Sequence, residues 1–256
     1  MSSSSGRKNR ARAVLLTLTF YPLMVAWTVA GIALSPAAIA ILKTATGWEI
    51  ERVIRYLIKV HGRGLLTIVS PFVRLEKENL EGIPHPCILV ANHLSYFDGY
   101  YMAALPFFDL TFAVGAWPFR MYWYTTFMRL ARYLDLENMS WQDAVTACRK
   151  ASSKKGSILF FPEGHRSRSG RLEPFFSGAF RMSIETGLPV VPICIAGTDV
   201  LLPPGKRLLH PARVRLKALP AVHPADFDGP AGPAKMRNSV RRTMAGALME
   251  MQAEPS

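Results

Sequence analysis

Cys87-Ile88-Leu89-Val90-Ala91-Asn92-His93-Leu94-Ser95-Tyr96-Phe97-Asp98 is the stretch on which the fold turns. Five apolar residues read as a buried strand, and the polar block behind them leads into a helix, so His93 sits at the carboxyl end of that strand. Open α/β sheets place their ligands there. In a regular helix, positions five apart diverge by about 140°. His93 and Asp98 therefore meet only if His93 lies before the helix and Asp98 in its first turn. Two plainer readings stand beside this one. Ser95-x-x-Asp98 fits a helix capping box, and His93 alone fits an ordinary hydrogen-bonded histidine; capping and catalytic roles for Asp98 are compatible.

Outward from this stretch the pattern is regular from about Leu75. Leu110–Val114, Ser157–Phe161 and Pro189–Ala196 are further short apolar runs that read as strands. Ala212–Val222 alternates Val214, Leu216 and Ala218 against Arg213, Arg215 and Lys217, as a half-exposed strand does. Between them lie helix candidates at Pro118–Tyr133, Trp141–Lys155 and Gly178–Thr186, with a closing amphipathic helix at Lys235–Gln252. The alternation predicts an α/β fold, a mixed sheet flanked by helices.

The amino-terminal portion differs in kind. Met1–Arg12 is Ser-rich and carries Arg7, Lys8, Arg10 and Arg12, and Ala13–Leu42 holds no charged residue. That run exceeds the apolar core of a signal peptide, which spans roughly 7–15 residues, so retention is expected. As a helix it would reach about 45 Å against about 30 Å of hydrocarbon. It must tilt, or bend at Pro22, Gly31 or Ser35-Pro36. Trp48–Lys59 follows with one apolar and one charged face, suited to a membrane interface. A basic amino terminus favours the cytoplasm, so a domain that also works there requires a re-entrant or in-plane pair rather than one full crossing. The expected division is 1–70 for membrane attachment and 71–256 for the α/β unit.

The 256 residues are 50% hydrophobic with a net charge of +13, and the mean hydropathy is +0.14. These values exclude a multi-span transporter and imply an anionic partner. The uncharged run makes that partner an anionic membrane surface, not nucleic acid. Cys87, Cys148 and Cys194 are widely spaced in apolar stretches without a metal-ligand pattern, which predicts reduced thiols and no metal site.

A second polar block, Phe160-Phe161-Pro162-Glu163-Gly164-His165-Arg166-Ser167-Arg168, again follows a strand. Glu163 stands alone among Arg149, Lys150, Lys154, Lys155, Arg166, Arg168 and Arg171. A solvated basic loop is the plain reading. One carboxylate fixed beside guanidinium groups also suits a headgroup carrying an anion and hydroxyls. Val191-Pro192-Ile193-Cys194-Ile195-Ala196-Gly197-Thr198 reads only as a buried strand ending in a turn. No Gly-x-Ser-x-Gly elbow, P-loop or full dinucleotide fingerprint occurs, and Gly62-Arg63-Gly64 is a fragment.

These three stretches, in this order, resemble the glycerolipid acyltransferases typified by 1-acylglycerol-3-phosphate acyltransferase. That family shares an Asn-His-x-x-x-x-Asp block, a Phe-Pro-Glu-Gly-x-Arg-Ser block and a later Val-Pro strand; here they are Asn92–Asp98, Phe161–Ser167 and Val191-Pro192. The resemblance covers roughly Asn79–Thr198. It implies direct acyl transfer without cofactor or covalent enzyme intermediate. His93 would be general base on a lysolipid hydroxyl, with Asp98 orienting its ring, and acyl-coenzyme A or acyl carrier protein would be the donor. Glu163, Gly164 and Arg166 would bind the acceptor, Arg166 through phosphate and Glu163 through a hydroxyl or by fixing the loop.

One departure bears on the acceptor. Phosphate-accepting members often carry a basic residue soon after the second strand and an arginine at the end of the next helix. Here Ala116-Trp117-Pro118 and Leu134-Asp135-Leu136-Glu137 stand in that region, with Arg120, Arg129 and Arg132 as possible substitutes. The aromatic run Trp117, Phe119, Tyr122, Trp123, Tyr124 and Phe127 reads mostly as core. The expectation is a lysophosphatidate acyltransferase. Its rivals are the same transfer to a lyso-ornithine lipid or lysophospholipid, and a non-catalytic lipid-binding scaffold.

Overall fold

The structure, a computed structural model, describes residues 2–115, 120 and 122–253. In chain order it runs α1 (Ser2–Thr46), α2 (Ile50–Val69), β1 (Val73–Glu78), β2 (Ile88–Ala91), α3 (Asp98–Tyr101), β3 (Leu110–Val114), α4 (Tyr122–Leu130), β4 (Leu134–Asp135), α5 (Trp141–Ser153), β5 (Ser157–Phe160), α6 (Gly178–Thr186), β6 (Val190–Ala196), α7 (Thr198–Leu201), β7 (Ala212–Ala218) and α8 (Gly232–Ala253). The described strands form a single sheet in the order β1-β7-β6-β2-β5-β3-β4. Its pairs are parallel except β6 with β7, so the sheet is mixed.

The central strands β2, β5 and β6 are buried at every position and apolar at all but Ser157, because helices cover both faces, as buried parallel strands require. Leu89, Ala91, Leu159, Val191, Ile193 and Ile195 belong to one buried cluster with Tyr101 and Val69. Their alternating neighbours Ile88, Val90, Ile158, Phe160, Val190 and Cys194 join a second cluster with Phe180, Met182, Val240 and Met244 of α6 and α8. Cys87, Cys148 and Cys194 are free and buried. Burial pushes their thiols up to about 12, about 11 and about 12.

Two short strands escaped the sequence reading. β1 carries Arg74, Glu76, Lys77 and Glu78, a composition that hides a strand; it is an edge held to β7 by Arg213–Glu76 and Lys217–Glu78 ion pairs of 2.7 and 2.8 Å. β4 is only Leu134–Asp135. The helix expected from Pro118 runs from Tyr122 to Leu130. Trp117, Phe119 and the side chains of Tyr122 and Trp123 lie outside the described residues, while Tyr124 and Phe127 are half-buried.

α1 is one uninterrupted helix through Pro22 and Pro36. Pro36 withdraws the amide that would bond the Ile32 carbonyl, and the Ser35 hydroxyl donates to that carbonyl instead at 2.8 Å. Asn9–Thr46 is long and apolar enough to cross a membrane. Val14, Leu15, Leu18, Val25, Val29, Ile32, Leu34 and Ile41 are exposed along it. Its first half does something else. Leu16 and Phe20, each 1% exposed, join the same buried cluster as Leu89 and Ile193, and Phe20 packs on Phe97 at 5.5 Å between ring centroids.

α2 extends ten residues further than the amphipathic stretch expected to end at Lys59, and its apolar side faces protein rather than lipid. Val53, Ile54, Leu65 and Val69 are buried. The Gly62-Arg63-Gly64 fragment is explained by packing. A Cβ on Gly62 would lie 2.8 Å from Ala103 Cβ, and one on Gly64 would lie 2.4 Å from the Trp27 ring of α1. The two helices are therefore seated on the domain and on each other.

Candidate active site

β6, β2 and β5 are adjacent and parallel, so their carboxyl ends open onto the same edge of the sheet. His93 and Asp98 follow β2, Glu163 and Arg166 follow β5, and Thr198 follows β6. That is the edge at which α/β sheets collect ligands.

His93 Nδ1 lies 2.8 Å from Asp98 Oδ2. The same Oδ2 accepts from the Leu94 and Ser95 amides at 2.6 and 2.8 Å, so Asp98 caps its loop and orients the imidazole at once. Oδ1 accepts from the Thr198 hydroxyl at 2.6 Å. A carboxylate that is 0% exposed thus has four donors, which is how a buried charge is kept. Because Asp98 is the acceptor, the Nδ1 proton belongs on the ring and Nε2 is left as a base. The His93 side chain remains 22% exposed and stacks on Phe161 with centroids 4.4 Å apart.

The main chain around His93 is fixed as firmly as its ring. Asn92 is buried and bridges to β6, its Oδ1 accepting from the Ile195 amide at 2.7 Å and its Nδ2 donating to the Ile195 carbonyl at 2.9 Å. The His93 carbonyl accepts from the Ser167 amide at 2.7 Å. The His93 amide donates to Glu163 Oε1 at 2.7 Å, and Glu163 Oε2 accepts from the Glu173 amide at 2.9 Å.

Glu163 is 1% exposed and each of its oxygens holds a backbone amide. Of the two roles open to it from sequence, fixing the loop is the one its contacts describe. Burial raises its carboxyl above the usual range, against the lowering effect of the two amides. Gly164 adopts φ +72°, and a Cβ there would lie 2.8 Å from the Phe176 ring; glycine lets the loop turn under that ring. Arg166 is half-buried, with its guanidinium carbon 3.5 Å from the centroid of the Tyr96 ring. A stacked guanidinium keeps its N–H edges for an anion.

The proposed arginine substitutes are placed differently. Arg129 and Arg132 are exposed at the end of α4, immediately before β4. β4 joins the sheet beside the carboxyl-terminal half of β3, Leu134 opposite Ala113 and Asp135 opposite Val114, and among the described contacts neither arginine meets the His93 loop. Arg120 precedes α4, and residues 116–119 lie outside the described residues. Among the described residues no group of three or more His, Cys, Asp or Glu is placed to hold a metal ion.

With this geometry in view, comparison with known proteins is informative. The family described as Acyltransferase matches residues 74–196, a span that contains His93, Asp98, Glu163, Gly164 and Arg166. Over this span the chain is similar to the acyltransferases. It is 33% identical over 154 residues to 1-acyl-sn-glycerol-3-phosphate acyltransferase BAT2, chloroplastic, of Brassica napus, covering 58% of this chain and 45% of that one. A chloroplastic 1-acyl-sn-glycerol-3-phosphate acyltransferase of Arabidopsis thaliana, LPAT1, is 31% identical over 166 residues, covering 62% and 47%. The chain thus spans about half the length of these curated relatives. The fold matches the crystal structure of the 1-acyl-sn-glycerophosphate acyltransferase PlsC from Thermotoga maritima, with TM-score 0.80 and 23% identity over 97% of this chain and 99% of that one.

Thr198, Ser167, Phe161 and Tyr96 gained no individual role in the sequence reading, yet all four touch the family's shared blocks. Tyr96 and Phe161 lie within those blocks and were legible as neighbours. Thr198 is 100 residues from Asp98, and nothing local marks it.

Proposed function

We propose that the chain transfers a fatty acyl group from acyl-coenzyme A or acyl carrier protein to the free hydroxyl of 1-acyl-sn-glycerol-3-phosphate, giving phosphatidate. The observation that carries this reading is the buried Asp98 holding Nδ1 of a part-exposed His93 at 2.8 Å. In that arrangement His93 Nε2 takes the proton of the acceptor hydroxyl as the oxygen attacks the thioester carbonyl. The C–O bond forms, the C–S bond breaks, and the proton passes from the imidazolium to the departing thiolate. Thiolate is a good leaving group, so this sequence asks for neither metal nor covalent enzyme intermediate.

Arg166, stacked on Tyr96, pairs with the acceptor phosphate, and the loop turning at Gly164 presents it. Glu163 keeps that loop and the His93 main chain in register. The protein sits on the cytoplasmic face of a membrane as a monotopic enzyme. The exposed apolar side of α1 lies in the lipid, and the charge of +13 favours an anionic surface. Nucleic acid has no part in this reading. A second reading is the same transfer to another lysolipid. It is favoured by Ala116-Trp117-Pro118 and Leu134-Asp135-Leu136-Glu137 standing where phosphate-accepting acyltransferases often carry basic residues.

The test is an acceptor panel. Purified protein in anionic vesicles is given labelled acyl-coenzyme A, or acyl carrier protein, with lysophosphatidate, lyso-ornithine lipid and lysophosphatidylcholine side by side. Lysophosphatidate should give the highest kcat/KM. Preference for another acceptor replaces the acceptor assignment, and no transfer to any of them removes the reading.

A further inference from the structure

We propose that Thr198 is a positioning residue for the reaction, acting through Asp98 to set how His93 is held; the role rests on the acyl-transfer reading above. Three donors converge on Oδ2 of Asp98, whereas its Oδ1 is met by the Thr198 hydroxyl at 2.6 Å. Carboxylate torsions have broad minima, and donors on both oxygens restrain that torsion more stiffly than donors on Oδ2 alone. Thr198 fixes it from the other side. The residue is 0% exposed, so water does not take its place.

The chain is built to bring that hydroxyl in. Gly197 adopts φ +88°, and a Cβ there would lie 2.0 Å from the Arg213 carbonyl oxygen, so only glycine fits. The turn it makes reverses the chain straight after β6 and sends Thr198 beneath β2's loop. Leu201 and Leu202 close the turn, their amides donating hydrogen bonds to the Gly197 and Thr198 carbonyls at 3.1 and 3.0 Å. Ser95 ties the segment back to the His93 loop through the Leu202 carbonyl at 3.4 Å.

The hydroxyl also draws charge from the carboxylate. Removing it leaves Oδ2 a stronger acceptor toward Nδ1–H and favours the imidazolium. The other groups around His93 are Glu163, bonded to its amide; Glu173, bonded to Glu163; and Arg166, stacked over Tyr96. Tyr101 on α3 feels the Asp98 charge. None of these touches Thr198 in the described contacts, so the effect of a Thr198 variant is channelled through Asp98.

The experiment compares Thr198→Val, Thr198→Cys and Thr198→Ser. Valine keeps the shape and removes the donor, cysteine keeps a weak donor, and serine keeps the hydroxyl. Thr198→Val should lower kcat roughly tenfold with both KM values within about twofold, the pattern of a lost transition-state interaction. Its acid limb in kcat/KM against pH should move to higher pH. Thr198→Ser should recover kcat to within about threefold, and Thr198→Cys should fall between.

Wild-type kcat and an unmoved acid limb in Thr198→Val overturn the role. So do Val and Ser variants that are equally slow and equally lowered in Tm. If the valine protein does not fold, a cysteine variant indistinguishable from wild type overturns it. An NMR titration of the His93 ring in wild type and Thr198→Val separates this claim from the functional reading, because it needs no turnover. A ring that titrates higher in the variant of a protein that acylates nothing sustains Thr198 and removes the function. An active enzyme with an unmoved ring does the reverse.

Discussion

At the scale of single residues, the conservative substitutions here are less conservative than they look. Glu163→Gln preserves size, but the site asks for two acceptors, one for the His93 amide and one for the Glu173 amide. A glutamine offers one acceptor and turns an NH2 group against the other amide. The unsatisfied donor should cost about 1–3 kcal/mol, visible as a lower Tm, together with reduced kcat because the His93 main chain shifts. A Glu163→Gln protein of wild-type stability would show that the amides find other partners. Arg166→Lys should raise acceptor KM and leave donor KM nearly unchanged, since lysine keeps charge but loses the flat, stacked fork. Steady-state kinetics on each substrate checks this, and an effect confined to the donor would move Arg166 to the donor's phosphates.

Legibility at this scale followed distance along the chain. His93 and Asp98 lie five residues apart, and one strand-to-helix turn brings them together, so their meeting was readable from spacing. Glu163 meets His93 across 70 residues and Thr198 meets Asp98 across 100. Those contacts depend on β5 and β6 flanking β2, an order that the sequence does not spell out. Where the short β4 behind Arg129 and Arg132 joins the sheet is likewise not spelled out by the sequence.

At the scale of elements, α1 carries an exposed apolar surface and is also a piece of the protein core, and substitutions should divide accordingly. Phe20→Ala opens a cavity beside Phe97 and should cost about 3–5 kcal/mol, measured by unfolding in detergent. Val29→Ser and Leu34→Ser on the exposed side should leave that stability unchanged and weaken flotation with liposomes. Equal effects from the two classes would mean that α1 is not seated on the domain as described. The sequence showed α1 as a long apolar run but could not divide it, because every side of it is apolar. α2 was misassigned for the complementary reason: an amphipathic helix reads identically whether its apolar stripe meets lipid or protein.

At the scale of the whole molecule, the strands of the sheet centre were legible because continuous apolar runs mean cover on both faces. β1 was not, because an edge strand carries the charges that keep it from pairing with other chains. The same complete cover buries the three cysteines. With thiols raised to about 11 and about 12, only a very small thiolate fraction exists near pH 8. Native protein should therefore resist iodoacetamide at that pH and label at all three sites once unfolded. Rapid labelling of the folded protein would mean that the cover over the sheet is open.

The central claim is that His93, held by Asp98, is the base that activates a lysolipid hydroxyl. It is tested most directly by the turnover of His93→Ala with labelled acyl donor and lysophosphatidate, on protein whose circular dichroism and Tm match wild type. The expected fall is at least about 10²-fold and up to about 10⁴-fold, the worth of general base catalysis. Turnover within a few-fold of wild type by a folded His93→Ala would contradict the account.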